Sequence, residues 1–256
     1  MAWLDVALFS LDAIAASGQT FTWRRDGDAW LVASGARTCS LAQEGGRLRI
    51  ARRDGSEPSS AELAYWQRYL ALDQDYARIL AELRLPEEVA RAGAGIRVLS
   101  QDWWDVAVSF VISQNSNIVR IQRTMDALMD ASGGLVPSPE RLAALLADDA
   151  YAEGLRLGYR LPYLEALARR CKTWHPSVLD DAGVPLERSM GELQEMPGIG
   201  PKVASCICLF GLGHLEAVPE DTWIKRAERE RDITWHPRWG GIQQQFVFAW
   251  MRRRGR

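Results

Sequence analysis

The stretch Met196-Pro197-Gly198-Ile199-Gly200-Pro201-Lys202 constrains this chain more than any other. Helical signals flank it on both sides, and its two glycines permit a turn that bulkier residues would resist. Such a turn points consecutive backbone N–H groups outward. Together with the positive end of the next helix, they can hold a phosphate without any cationic side chain. Pro201 suits the first position of that helix, where no N–H is needed. A Gly-x-Gly turn alone is a common helix connector, so its meaning depends on the residues downstream of it.

Lys202 falls in the first turn of the second helix, against the positive end of the helix dipole, which disfavours an ammonium. Partial burial would act in the same direction and leave some neutral amine able to attack carbon. Taken alone, a lysine there reads as a solvated surface charge. Asp221 comes after Ala217-Val218-Pro219-Glu220, where Pro219 fixes the backbone ahead of a new helix. An aspartate there reads as an N-cap, a role compatible with catalysis. The two segments together are far more specific than either part.

Composition bounds the rest. With 256 residues, 47% hydrophobic and 25% charged, the chain can bury a substantial core as an ordinary globular protein. No apolar run approaches a membrane span. The opening Met1–Ser17 is apolar, but Asp5 and Asp12 and the lack of a basic start mark it as structure rather than a secretion signal. Cys39, Cys171, Cys206 and Cys208 are scattered, and so are His175, His214 and His236. That pattern suggests neither a disulfide framework nor a metal site, and it suits a reducing compartment. The net charge of −2 does not advertise a nucleic-acid binder. Charge is unevenly placed, however. From Asp221 onward Lys225, Arg226, Arg229, Arg231, Arg238, Arg252, Arg253, Arg254 and Arg256 outnumber Asp221, Glu228, Glu230 and Asp232.

The first third reads as antiparallel strands over Thr20–Arg24, Ala29–Ser34, Arg37–Gln43 and Arg47–Arg52, separated by Gly-containing turns. Helical signals then take over. Ser59 with Glu62 makes a capping box, Asp102 can cap Trp103–Ser113, and Ile118–Ala131 stops at Gly133-Gly134. Ser138-Pro139 opens a helix, and Tyr163–Lys172 is another. Ser189 with Glu192 reads as a second capping box, Pro201–Leu212 comes after the hairpin, and Gln243–Arg253 closes the chain. The expected fold is α+β: a small antiparallel sheet domain (1–98, with connecting helices) on a helical body (99–256, hairpin about 190–212).

In these features the chain resembles the helix-hairpin-helix DNA glycosylase superfamily, in its 8-oxoguanine DNA glycosylase branch. The likeness runs from Ser17-Gly18-Gln19-Thr20-Phe21-Thr22-Trp23 to the final helix. It includes Phe110 through Arg120, Gly158-Tyr159-Arg160, and Lys202-Val203-Ala204-Ser205-Cys206-Ile207-Cys208. The resemblance implies that an oxidised guanine is flipped from duplex DNA into a pocket. Lys202 would attack the deoxyribose, and Asp221 would stabilise the developing sugar cation. The resulting Schiff base would allow strand cleavage by β-elimination. Gly18 matches the position whose carbonyl accepts from the N7–H present only after oxidation. Phe248 matches the stacking aromatic, Cys206 the residue on the opposite base face, and Gln244 the reader of the Watson–Crick edge. Gln243 and Gln245 adjoin Gln244, which leaves the frame open by one residue. On the opposite strand, Asn115 would fill the vacated space and Tyr159 would wedge the stack. Arg120 and Arg160 would contact the orphaned cytosine.

Departures accompany the likeness. Trp223 stands where a histidine often touches the phosphate beside the lesion, and Glu220 adjoins the catalytic carboxylate. No organic cofactor, catalytic metal or iron–sulfur cluster is expected; a monovalent cation at the hairpin backbone is allowed for. The expected partner is double-stranded DNA carrying oxidised guanine. A monomer is expected in a cytoplasm, nucleoid or nucleus, neither membrane-bound nor secreted. Relatives for alkylated bases lack a lysine nucleophile. The endonuclease III type carries a C-terminal four-cysteine motif, and no cysteine comes after Cys208. A silent DNA-binding hairpin would need neither Lys202 nor Asp221.

Overall fold

Three two-residue loops organise the N-terminal sheet. The computed structural model describes residues 3–255, so Met1, Ala2 and Arg256 lie outside the described residues. Strands β1 (Trp3–Asp5), β2 (Trp23–Asp26), β3 (Ala29–Ser34), β4 (Arg37–Glu44) and β5 (Arg47–Ala51) form an antiparallel sheet in the order β1-β5-β4-β3-β2. Gly27, Gly35 and Gly45 take φ of +56°, +55° and +56° at the hairpin bends, a conformation glycine adopts without strain. These bends set the register, pairing Trp23 with Val32 and Leu41 with Ile50. One face then carries Trp23, Val32, Cys39, Leu41, Leu48 and Ile50 into a buried cluster. Helix α1 (Leu11–Ala15) adds Leu11 and Ile14, and α2 (Ser60–Tyr69) covers it with Trp66 and Tyr69.

The sequence pattern missed β1 and α1 and started β2 too early. Thr22 precedes β2, and its hydroxyl donates to the Ala33 carbonyl at 2.7 Å. The Ser59–Glu62 capping box on α2 is present.

Helices α3 (Tyr76–Leu83) and α4 (Glu87–Ala92) precede the expected division at residue 98. Yet Tyr76, Ile79, Leu83, Val89 and Ala92 bury into the core of the helical body. That body continues with α5 (Trp103–Ile112), capped by Asp102, and α6 (Ile118–Asp130), capped by Asn117. Next come α7 (Pro139–Leu146), capped by Ser138, then α8 (Asp149–Leu155) and α9 (Leu161–Arg170). Helices α10 (Leu186–Gln194), α11 (Pro201–Gly211), α12 (Thr222–Glu230) and α13 (Gly240–Arg254) complete it. Helix α11 is the central rod, with every residue from Val203 to Phe210 buried. No described helix is long and apolar enough to cross a membrane.

One expected cap is wrong. Helix α10 begins after Pro185, which places Ser189 in its interior, fully buried. Ser189 Oγ hydrogen-bonds His214 Nε2 at 3.0 Å, while the Glu192 carboxylate accepts from the Ser177 N–H and hydroxyl. Tertiary partners take up both side chains that the spacing assigned to a local box.

Candidate active site

The hairpin between α10 and α11 is shaped by one obligatory glycine. Gly198 has φ +85°, and a Cβ there would lie 2.2 Å from Tyr163 Cγ. Gly200 is different: its backbone is extended, nothing crowds it, and it is the N-cap of α11 without a side-chain cap. The first N–H groups of α11 are therefore left for an outside acceptor. Gln114 braces the turn, donating through Nε2 to the Gly198 carbonyl at 3.0 Å.

Lys202, half-buried in the first turn of α11, places Nζ 5.0 Å from the centroid of the Phe110 ring. One turn further along, Cys206 is buried, and burial pushes its thiol up to about 11 although neighbouring Lys202 acts against that shift. Asp221 caps α12, its Oδ1 accepting from the N–H groups of Trp223 and Ile224, both at 2.9 Å. Burial raises its carboxyl above the usual carboxylate range. The two capping bonds and the charges of Lys202 and Arg252 oppose that rise without cancelling it.

These groups share a cavity of about 920 Å³. Gly18, Lys202, Cys206, Asp221, Gln244 and Phe248 all line it, as do Asn115, Tyr159, Gly200 and Trp223. Gly18 has φ +77°, and a Cβ there would meet Phe248 Cε1 at 3.6 Å, an ordinary contact. Backbone conformation, more than lack of room, thus calls for glycine at this position. The Trp223 ring packs on the chain at Gly255, where a Cβ would approach Cη2 to 2.3 Å.

The three glutamines separate cleanly. Gln243 is engaged elsewhere, accepting from the His236 N–H and donating to the Thr234 carbonyl. Gln244 donates to the Pro219 carbonyl at 3.2 Å and accepts from Gln245 at 2.9 Å. Gln245 also lines the cavity.

A second group forms the rim. Asn115 takes φ +45° and donates through Nδ2 to the Tyr159 hydroxyl at 3.0 Å. That hydroxyl donates to the Gln114 carbonyl at 3.2 Å, and Tyr159 remains exposed. Arg120 is exposed and donates to the Arg156 carbonyl at 2.6 Å. Arg160 is buried, its guanidinium donating to the carbonyls of Gln114, Asn115 and Leu157. Backbone carbonyls thus engage Nε, Nη1 and Nη2 of the side chain that the resemblance assigns to the orphaned cytosine.

Sequence reasoning also passed over Arg252. It lies one turn beyond Phe248, itself one turn beyond Gln244, so helical spacing alone could have placed it on the pocket face. Gln114 lies within the segment that carries the resemblance, but no role was assigned to it. Among the described residues no group of three or more His, Cys, Asp or Glu is arranged to hold a metal ion.

Residues 4–106 match the family described as 8-oxoguanine DNA glycosylase, N-terminal domain. The chain is 30% identical over 229 residues to the N-glycosylase/DNA lyase OGG1 of Arabidopsis thaliana, covering 81% of this chain and 62% of that protein. The chain therefore spans less than two thirds of that relative's length. Among solved structures, MBOgg1 in complex with low affinity DNA ligand superposes with a TM-score of 0.86 at 26% identity. That match covers 99% of this chain and 96% of the other. The Clostridium acetobutylicum 8-oxoguanine glycosylase/lyase, in complex with dsDNA containing cytosine opposite 8-oxoG, superposes with a TM-score of 0.82 at 24% identity. It covers 97% of this chain and 93% of that one, and shows a common fold.

Proposed function

Since the chain belongs to the 8-oxoguanine DNA glycosylase family of the helix-hairpin-helix superfamily, we propose that it is a bifunctional DNA glycosylase and abasic-site lyase. Its substrate is duplex DNA carrying 8-oxoguanine, preferentially opposite cytosine, and its place is base excision repair. One observation carries this reading: a half-buried lysine at an uncapped helix start and a half-buried aspartate share one cavity large enough for a flipped nucleotide.

That placement dictates the chemistry. The hairpin N–H groups hold a backbone phosphate while the damaged base enters the cavity. Neutral Lys202 Nζ bonds to the deoxyribose C1′ as the bond from C1′ to the base breaks and the base departs with its electron pair. Asp221 faces the positive charge developing on the sugar. Both capping bonds fall on Oδ1, which fixes the carboxylate's direction and leaves Oδ2 outside the cap. Opening of the sugar gives a Schiff base, and loss of a C2′ proton then expels the 3′ phosphate.

Gly18 supplies the carbonyl that accepts N7–H from the oxidised base and faces a lone pair on guanine. An unmatched polar contact of that kind costs about 1–3 kcal/mol. Phe248 and Cys206 flank the base, Asn115 and Tyr159 hold the opened duplex, and Arg120 meets the orphaned cytosine.

The reading requires no organic cofactor, catalytic metal or iron–sulfur cluster. Hairpin carbonyls of Met196 and Gly198 each accept one hydrogen bond, from Ile199 and Gln114, and keep a second lone pair. They fit a loosely held monovalent cation beside the phosphate. The protein acts as a monomer wherever the DNA resides, in a bacterial cytoplasm and nucleoid or in a nucleus.

Borohydride trapping tests the assignment. A duplex with 8-oxoguanine opposite cytosine should give a covalent adduct, and Lys202→Gln should abolish it while lesion binding stays measurable. An undiminished adduct in that variant would move the role to another amine.

A further inference from the structure

Ser189, His214 and Glu216 form a hydrogen-bonded chain outside the catalytic cavity. Ser189 Oγ lies 3.0 Å from His214 Nε2, and His214 Nδ1 lies 3.1 Å from Glu216 Oε1. The acid sets the direction of the chain. A carboxylate only accepts, so Nδ1 carries the proton, Nε2 of the neutral ring accepts, and the Ser189 hydroxyl donates. Serine, histidine and acid in that order look like a hydrolytic triad. Ser189 is 0% exposed, however, so no substrate reaches its oxygen. The chain joins elements instead. Ser189 belongs to α10, the first helix of the hairpin, whereas His214 and Glu216 stand on the loop that runs from α11 to Asp221. Backbone bonds pin this loop to α11, where the His214 N–H donates to the Cys208 carbonyl at 3.0 Å. They also pin it to α13, where the Gly241 N–H donates to the Leu215 carbonyl at 2.8 Å. The buried His214 ring adds the link to α10. The loop ends at Pro219, whose carbonyl accepts the Asp221 N–H at 3.2 Å.

We propose that His214 is a positioning residue for Asp221. With Ser189 and Glu216 it fixes the loop that carries the carboxylate against the hairpin that holds the DNA backbone. This rests on the glycosylase reading above. In that reading the hairpin places the phosphate and Lys202, the loop places Asp221, and the sugar C1′ must meet both. An offset between the two leaves lesion binding nearly intact, because the charge of Asp221 matters mainly once the sugar becomes cationic. The same offset slows the reaction, since a reacting group displaced by about 1 Å can lower a rate by as much as a hundredfold.

Two measurements separate positioning from a purely structural role. One is the single-turnover excision rate of 8-oxoguanine opposite cytosine at saturating protein, and the other is affinity for the same duplex in a Lys202→Gln background. His214→Phe keeps a ring and removes both bonds. It should lower the rate by about tenfold or more while affinity changes by less than about threefold. Glu216 is half-exposed, so its variants spare the core. Glu216→Met should show part of the same loss, and Glu216→Gln, which keeps an acceptor for Nδ1–H, should restore most of the rate. Ser189→Ala and Glu216→Met break one chain at its two ends, so their combined loss should fall short of the sum. Rate and affinity falling in proportion in His214→Phe, or both staying at the parent values, would overturn the proposal. Should His214→Phe fail to fold, the Glu216 variants decide, and equal rates for methionine and glutamine there would overturn it. A parent protein that excises no 8-oxoguanine removes the glycosylase reading and this inference with it. An active parent indifferent to these substitutions removes this inference alone.

Discussion

Arg252 holds its guanidinium 5.5 Å from the centroid of the Phe248 ring and donates to the Ala16 carbonyl at 2.8 Å. This side chain therefore touches both the Phe248 ring in the cavity wall and the segment that leads into Gly18. Arg252→Met should weaken binding to a lesion duplex by about tenfold in a Lys202→Gln background, where turnover does not interfere. Titrations at several salt concentrations separate two roles. A positioning role leaves the slope of log K against log salt unchanged, whereas a lost phosphate contact lowers it by about 0.9.

The raised carboxyl of Asp221 gives a signed pH dependence. Excision needs the ionised form, so the rate should fall as pH drops through a midpoint above the ordinary carboxylate range. Asp221→Asn should excise orders of magnitude more slowly and show no such limb. The stability effect runs the other way. A raised folded-state value means that the folded protein binds this proton more tightly than the unfolded chain. The stabilisation it gives is present at low pH and lost as pH rises through the raised value. Asparagine still caps α12, so melting at neutral pH should show Asp221→Asn at least as stable as the parent.

Arg120 and Arg160 should part company on the four opposite bases. Arg160 is committed to three backbone carbonyls, two of them flanking the left-handed Asn115. Arg160→Ala should slow excision opposite every base in parallel. Arg120→Ala should instead compress the preference for cytosine, by an amount on the order of tenfold to a hundredfold, as for one lost side-chain–base contact. Parallel loss in both variants would assign both arginines to the fold.

Gly198→Ala tests the hairpin. A left-handed φ and a contact inside the Tyr163 ring together should cost about 2–4 kcal/mol. Thermal melting reads the loss of stability, and binding to undamaged duplex should weaken with it. Gly200→Ala meets neither obstacle, so its melting temperature should stay close to that of the parent.

What could be read ahead of the structure depended on how local each interaction is. The glycine bends of β2 to β5 and the caps at Ser59, Asp102, Ser138 and Asp221 involve partners within four residues, so spacing sufficed. Ser189 and Glu192 have the same spacing as Ser59 and Glu62, but His214 and Ser177 claim them from 25 and 15 residues away. Position within a helix does not reveal such competition. Gln244 lines the cavity, yet only the Pro219 carbonyl, 25 residues upstream, shows that its amide nitrogen already has a partner. The carbonyl partners of Arg160 are equally illegible in the sequence, since those of Gln114 and Asn115 lie 46 and 45 residues away.

The contact between α4 and α13 bears on how this protein can be cut. A Cβ at Gly93 would lie 2.3 Å from Phe246 Cδ1, so the end of α4 presses directly on the helix that carries Gln244, Gln245 and Phe248. A fragment that begins at residue 99 would keep Lys202 and Asp221 while stripping the cover from Phe246. Helix α13, which lines the cavity through Gln244, Gln245 and Phe248, would lose a support on the side away from it. Minimal versions of the protein must therefore retain the segment from Tyr76 to Gly93, and a split protein would need its two pieces to reassemble across that seam before the pocket face of α13 regained its support.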